Sequence, residues 1–167
     1  MQRILVVEDA QINRELLCEM LQDDYVVETA EDGEEALEKL ALDGAGMAAV
    51  LLDLQMPKMD GFSVIEEMGK KGWIKKIPIL VISGEYTVEA ENRCFEMGVS
   101  DFIHKPFVDS IVKNRVRNAL ELFDCKNQLE QRVQEQEQTL REQYRIIQAQ
   151  EEKLREEKPF NRLMMEY

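Results

Sequence analysis

The sequence predicts an α/β fold: a (βα)5 doubly wound, parallel five-stranded sheet whose last helix extends into a long C-terminal coiled-coil helix. Three observations predict it. Short, uniformly apolar runs alternate with amphipathic helical patterns, which implies a parallel sheet covered on both faces. All eight glycines lie before residue 100, so the turns are confined to the first part. Residues 128–150 carry eight glutamines and neither Gly nor Pro, the composition of one uninterrupted helix.

The elements follow in order. Residues 4–7 (ILVV) form a buried strand, and residues 12–21 a helix with the apolar stripe Ile12, Leu16, Leu17, Met20 and Leu21. A shorter strand spans 25–29. The helix over 33–42 gathers Ala36, Leu37, Leu40 and Ala41 on one face. A third strand spans 48–52, followed by a helix over 62–68 that turns Phe62, Ile65 and Met68 inward. The fourth strand spans 77–82. The helix over 88–97 is closed by Gly98, which can take the left-handed conformation that ends helices. Residues 102–103 form a short fifth strand. The last helix starts near Val108 and runs to about Glu157, where Pro159 is expected to stop it. The domain boundaries are therefore 1–122 for the compact domain, 123–158 for a helical stalk continuous with its last helix, and 159–167 for a short tail.

Composition narrows the function. A net charge of −13 argues against a nucleic-acid module, which normally presents a basic face. No apolar stretch is long enough to span a membrane, and the first ten residues do not read as a signal peptide, so the expected location is cytoplasmic. Cys18, Cys94 and Cys125 are scattered and odd in number, as reduced thiols on helices would be. His104 is the only histidine, which excludes a multi-histidine metal centre.

Open parallel sheets bind ligands beyond the carboxyl ends of their strands. There the first strand ends in Glu8 and Asp9, the third in Asp53, the fourth in Ser83 and Gly84, and the fifth in Lys105 and Pro106. Three converging carboxylates repel one another unless a cation joins them. A hard divalent ion with oxygen ligands such as Mg2+ is the natural answer. A carboxylate can also attack phosphorus to give an aspartyl phosphate, and a metal, a lysine and a hydroxyl would neutralise the phosphoryl oxygens. Taken singly, each of these residues reads as a cap, a turn or a solvated surface group. Their joint placement on one rim is what carries weight.

With ILVVEDAQINRELL, AEDGEEAL, VLLDLQMPKMDGFSVIEEM, IPILVISG and GVSDFIHKPF in view, residues 1–120 resemble the receiver domain of two-component response regulators, a flavodoxin-like domain. The resemblance implies that Asp53 accepts a phosphoryl group from the phosphohistidine of a sensor histidine kinase or histidine phosphotransfer protein. It implies that Asp9, Asp53 and the backbone carbonyl of Gln55 ligate Mg2+ directly and that Glu8 acts mainly through water. Lys105 and the Ser83 hydroxyl would contact phosphoryl oxygens, Gly84 would leave room beside them, and the Lys105–Pro106 bond would be cis. Pro57 and Gly61 would shape the loop after Asp53. Phe102 would be the switch aromatic coupled to Ser83; lacking a hydroxyl, it could switch by packing alone. The resemblance also implies that Gln55 and Glu85 hold the positions that tune loss of the phosphoryl group in that family. An aspartate-nucleophile phosphatase would carry a second Asp two residues after the nucleophile, where this chain has Gln55. The domain is thus expected to catalyse only its own phosphotransfer and dephosphorylation.

His104 reads as a surface residue, and Lys70, Lys71, Lys75 and Lys76 around Trp73 as a solvated loop between helix and strand. In the stalk, Val112, Ala119, Val133, Leu140, Ile147 and Leu154 repeat every seven residues, interrupted by Lys126. Taken as a positions, they put Leu122, Leu129, Gln136, Gln143 and Gln150 at d, with Arg132 able to pair with Glu137 of a partner and Lys153 facing Lys158. Such a seam predicts a marginal parallel homodimer. Phe160, Leu163, Met164, Met165 and Tyr167 add an apolar patch at the end. The chain is expected to be the front part of a longer protein with an output domain; a stand-alone receiver with a dimerising stalk is the alternative. A further alternative is a receiver-like adaptor that works through its coiled coil without phosphorylation.

Overall fold

The computed structural model describes residues 1–84 and 87–165, the side chains of residues 159–161 excepted. The elements are β1 (Arg3–Val7), α1 (Gln11–Leu21), β2 (Val26–Ala30), α2 (Gly33–Asp43), β3 (Met47–Asp53), α3 (Gly61–Lys70), β4 (Ile79–Ser83), α4 (Val88–Glu96), β5 (Asp101–His104) and α5 (Asp109–Met164). Short 3-10 turns at Gly44–Gly46 and Trp73–Lys75 precede β3 and β4. The five strands form one parallel sheet in the order β2-β1-β3-β4-β5. The order reverses between β1 and β3, so the crevice at their carboxyl ends is the topological switch point. This is the flavodoxin-like architecture predicted from the sequence.

Side-chain alternation along the strands builds two cores. Leu5, Val7, Val50, Leu52, Val81 and Phe102 face one side and pack against Ala36 and Leu40 of α2, Val64, Ile65 and Met68 of α3, and Cys94 of α4. Ile4, Val6, Leu51, Leu80, Ile82 and Ile103 face the other side, against Leu17 and Leu21 of α1 and Val112 and Val116 of α5. Each fully buried aliphatic side chain contributes roughly 2 kcal/mol by leaving water. The helix starts are set locally. Asp32, Asp60 and Thr87 cap α2, α3 and α4 by accepting the backbone N–H groups of Glu35, Ser63 and Ala90.

Several expected boundaries move for identifiable reasons. The Tyr25 N–H donates to the Leu21 carbonyl and closes α1, so β2 begins at Val26. Pro78 has no N–H to give the ladder, and β4 begins at Ile79. On α1 only Leu17 and Leu21 are buried, whereas Ile12 is 73% exposed. At 3.6 residues per turn Ile12 lies roughly half a turn around the helix from Leu21, off the buried stripe. Ala41 is exposed for a similar reason, being one residue past Leu40. The helical backbone of α5 continues to Met164, so Pro159 does not end it. Proline removes one backbone donor, yet its fixed φ is itself compatible with a helix.

The chain divides into two units, Met1–Phe123 and Asp124–Tyr167. The first contains the sheet and its helices. The second is helical through Met164, and its described side chains are exposed, among them Leu129, Val133, Leu140, Tyr144, Ile146, Ile147 and Leu154. Leu163, Met164 and Met165 of the apolar C-terminal patch are exposed as well, whereas Tyr167 and the Phe160 side chain lie outside the described residues.

Candidate functional site

The carboxyl ends of β1 and β3 bring the acidic residues together. Glu8 follows β1 and Asp53 ends β3; both are buried, and Asp9 is exposed. One carboxylate oxygen from each lies within 4.8 Å of the others. Lys105, just after β5, sets its ammonium 2.9 Å from Glu8 Oε2 and 3.1 Å from Asp53 Oδ2. The Gln55 N–H donates to the other Asp53 oxygen, Oδ1, at 3.2 Å. The Ala10 N–H donates to Glu8 Oε1 at 3.2 Å. Hence both buried carboxylates are held by a backbone amide on one oxygen and share one ammonium on the other.

The electrostatics follow from this packing. Burial pushes Glu8 above its ordinary carboxylate pKa, the Lys105 ammonium acts against that rise, and the Asp53 charge adds to it. Burial alone would lower the Lys105 ammonium. Its close pairing with Glu8 and the Asp53 charge outweigh that, and its pKa stands above the ordinary lysine value. One ammonium among three carboxylates leaves an excess of negative charge on oxygen donors. That donor set fits a hard divalent cation.

The remaining rim residues take distinct places. Ser83 is fully buried at the end of β4, in register with His104 of β5. A Cβ on Gly84 would meet open space among the described residues. Phe102 is turned into the core, 3% exposed. Glu85 lies outside the described residues. The Lys105–Pro106 peptide bond is cis. His104 corrects the expectation of a plain surface residue: it is half-buried, its Nε2 is 2.9 Å from Glu91 Oε1, and its ring centroid is 4.9 Å from that of Phe102. Alternation along β5 puts it on the face of Phe102, opposite Ile103, where α4 meets it. The lysine-rich segment forms its 3-10 turn with the Lys71 ammonium 4.8 Å from the Trp73 ring centre.

The loop after Asp53 is shaped by close approach. A Cβ on Gly61 would come within 2.4 Å of the Asp53 carbonyl oxygen and 2.7 Å of Leu54 Cα, both backbone atoms. Only glycine lets α3 start there. Arg14 reaches the loop after β1, although no strand-end pattern singles it out. It lies on α1, one turn past the acidic pair, and its guanidinium donates to the carbonyl oxygens of Glu8 at 2.8 Å and Asp9 at 3.1 Å. Its charge and its position in the first turn and a half of a helix were the available signals.

Residues 4–117 match the family described as the response regulator receiver domain. The chain is 33% identical over 117 residues to the rice two-component response regulator ORR3, covering 68% of this chain and 88% of that protein. It is 33% identical over 118 residues to a probable cyclic di-GMP phosphodiesterase of Vibrio cholerae, covering 71% of this chain and 26% of that one. The solved structure of the Vibrio cholerae chemotaxis protein CheY4 superposes with a TM-score of 0.66 at 30% identity, covering 71% of this chain and 98% of that one. The share of a relative's length that the chain spans thus varies widely, down to 7% for a Dictyostelium discoideum hybrid histidine kinase. The chain belongs to the response regulator receiver family, its matched segment being a signalling domain of two-component systems.

Proposed function

We propose that Asp53 accepts a phosphoryl group from a phosphohistidine on a sensor histidine kinase or histidine phosphotransfer protein, and that the switch is relayed through a dimerising helical stalk. The observation that carries this reading is the shared ammonium: Lys105 lies within 3.1 Å of Asp53 and 2.9 Å of Glu8 at the switch point of the sheet. An Asp53 oxygen attacks phosphorus, the N–P bond breaks, and the histidine ring leaves with the bonding pair and takes up a proton. Lys105 exchanges part of its contact with Asp53 for a transferred phosphoryl oxygen. The Gln55 N–H holds the Asp53 carboxylate in position during attack. The Ser83 hydroxyl turns to another phosphoryl oxygen, and Phe102 packs into the space it leaves. A Mg2+ held by Asp9, Asp53 and the Gln55 carbonyl, with Glu8 acting through water, would supply positive charge to the transferring oxygens.

The stalk completes the proposal. Val133, Leu140, Ile147 and Leu154 are exposed at heptad spacing, an apolar stripe that a second copy would cover as a parallel coiled coil. Output through a domain of a longer protein belongs to the same reading.

Intact mass after incubation with Mg2+ and acetyl phosphate tests the acceptor. One phosphoryl group gained by the wild type, dependent on Mg2+ and absent from Asp53→Asn, is the expected result. Equal gain in the variant would overturn Asp53 as the acceptor.

A further inference from the structure

The structure assigns Arg14 as a positioning residue for the cation site, a role that rests on the metal-dependent reading above. Four observations meet on this side chain. Its Nη1 donates to two consecutive carbonyls, those of Glu8 and Asp9. Its Nη2 donates to Glu31 Oε1 at 3.2 Å, in the turn between β2 and α2. The side chain is only 14% exposed, although Glu31 is 70% exposed. Finally, α1 lacks the side-chain cap that starts α2, α3 and α4: its N-cap residue is Ala10, and its first turn has no acid.

The β1–α1 turn is therefore held from two directions. Glu8 reaches forward to the Ala10 N–H, and Arg14 reaches back to the carbonyls of Glu8 and Asp9. Those two residues supply two of the three clustered carboxylates. One nitrogen of the planar guanidinium serves both carbonyl oxygens while the other is held by Glu31, a rigid two-nitrogen arrangement that the single ammonium of lysine cannot reproduce. Fixing consecutive peptide planes fixes the directions in which both side chains leave the backbone. Arg14 thus sets the geometry of the carboxylate ligands through their backbone, without touching the carboxylates, in the manner of the outer residues that orient metal ligands elsewhere.

Positioning and bare electrostatics predict opposite signs, which makes the role testable. A cation fixed beside the site repels a divalent ion. If charge alone mattered, Arg14→Gln would tighten metal binding and Arg14→Lys would leave it unchanged. If Arg14 positions the ligands, both variants weaken binding, by about tenfold. The measurement is Mn2+ affinity of the full chain by electron paramagnetic resonance, on samples shown by circular dichroism to be folded at the assay temperature. Glu31→Gln, which leaves the carbonyl clamp in place, serves as control and changes affinity less than either Arg14 variant. A lowered melting temperature with unchanged Mn2+ affinity in both variants would reduce Arg14 to a structural brace and overturn the inference. Tighter binding in Arg14→Gln would overturn it in favour of charge. A wild-type chain that binds no Mn2+ would overturn it together with the metal reading. The phosphoryl acceptor is tested apart from these outcomes, by the mass gain at Asp53.

Discussion

At the scale of single residues, the site is governed by what buried charges find for neighbours. Glu8 and Asp53 are tolerated in the interior because each has a backbone amide and a share of one ammonium. The raised Glu8 pKa shows that this compensation is incomplete, burial being the larger influence. Steric closeness matters as much as charge. Gly61→Ala drives a methyl group into the Asp53 carbonyl and Leu54 Cα, and neither backbone atom can give way without moving the loop that carries the acceptor. The expected cost is about 1–3 kcal/mol, typical of an overpacked site. A urea denaturation series on the two proteins would read it directly, and the variant's phosphoryl gain should fall with it. Glycine at this position was legible in the sequence as a loop-shaping residue. Its closeness to the acceptor's own carbonyl was not, because that distance depends on how α3 returns to β3. His104 shows the same limit: alternation placed it on the face of Phe102, but only the packing of α4 supplies Glu91.

At the scale of elements, local chemistry set most helix starts and tertiary contacts set the rest. The α2 start combines Asp32, which accepts the Glu35 N–H, with Glu35, whose carboxylate accepts the Glu31 N–H. That backbone hydrogen bond, helped by Lys39, holds the Glu35 carboxyl below the usual carboxylate range. The sign follows from linkage. A carboxyl whose pKa is lower in the folded state stabilises the fold above its unfolded pKa, and this contribution is lost as pH falls through the folded pKa. Glu35→Gln is therefore expected to unfold at a lower urea concentration than the wild type at pH 7. The gap should close as both proteins are taken below the carboxylate range. A gap that persisted in acid would assign the effect to packing instead. By contrast, α1 has no such start, and its turn is tied by Arg14. Nothing in the local sequence around Arg14 names its acceptors, since they are main-chain atoms brought back by the turn.

At the scale of the whole chain, two kinds of surface follow one another along α5. In the first unit Val112, Val116, Ala119 and Leu120 are buried in the core of the sheet. In the second the heptad residues Val133, Leu140, Ile147 and Leu154 are between 52% and 64% exposed, more apolar surface than a lone polar helix normally presents. The full chain is accordingly expected to be a dimer, and residues 1–122 without phosphorylation mainly a monomer, by light scattering at micromolar concentration. A monomeric full chain would remove the coiled coil. The fold class, the order of elements and the set of residues at the strand ends were determined by the sequence alone. Each depends on periodicity and on residue types at positions that a parallel sheet must place on one rim. The tertiary structure decided which oxygen faces which donor, that Lys105 is shared by Glu8 and Asp53, that Ile12 turns away from the core, and that Arg14 reaches the carbonyls of Glu8 and Asp9. The physical reason is that periodicity settles the face on which a side chain lies, whereas contacts between distant segments depend on distances fixed only when the helices pack against the sheet.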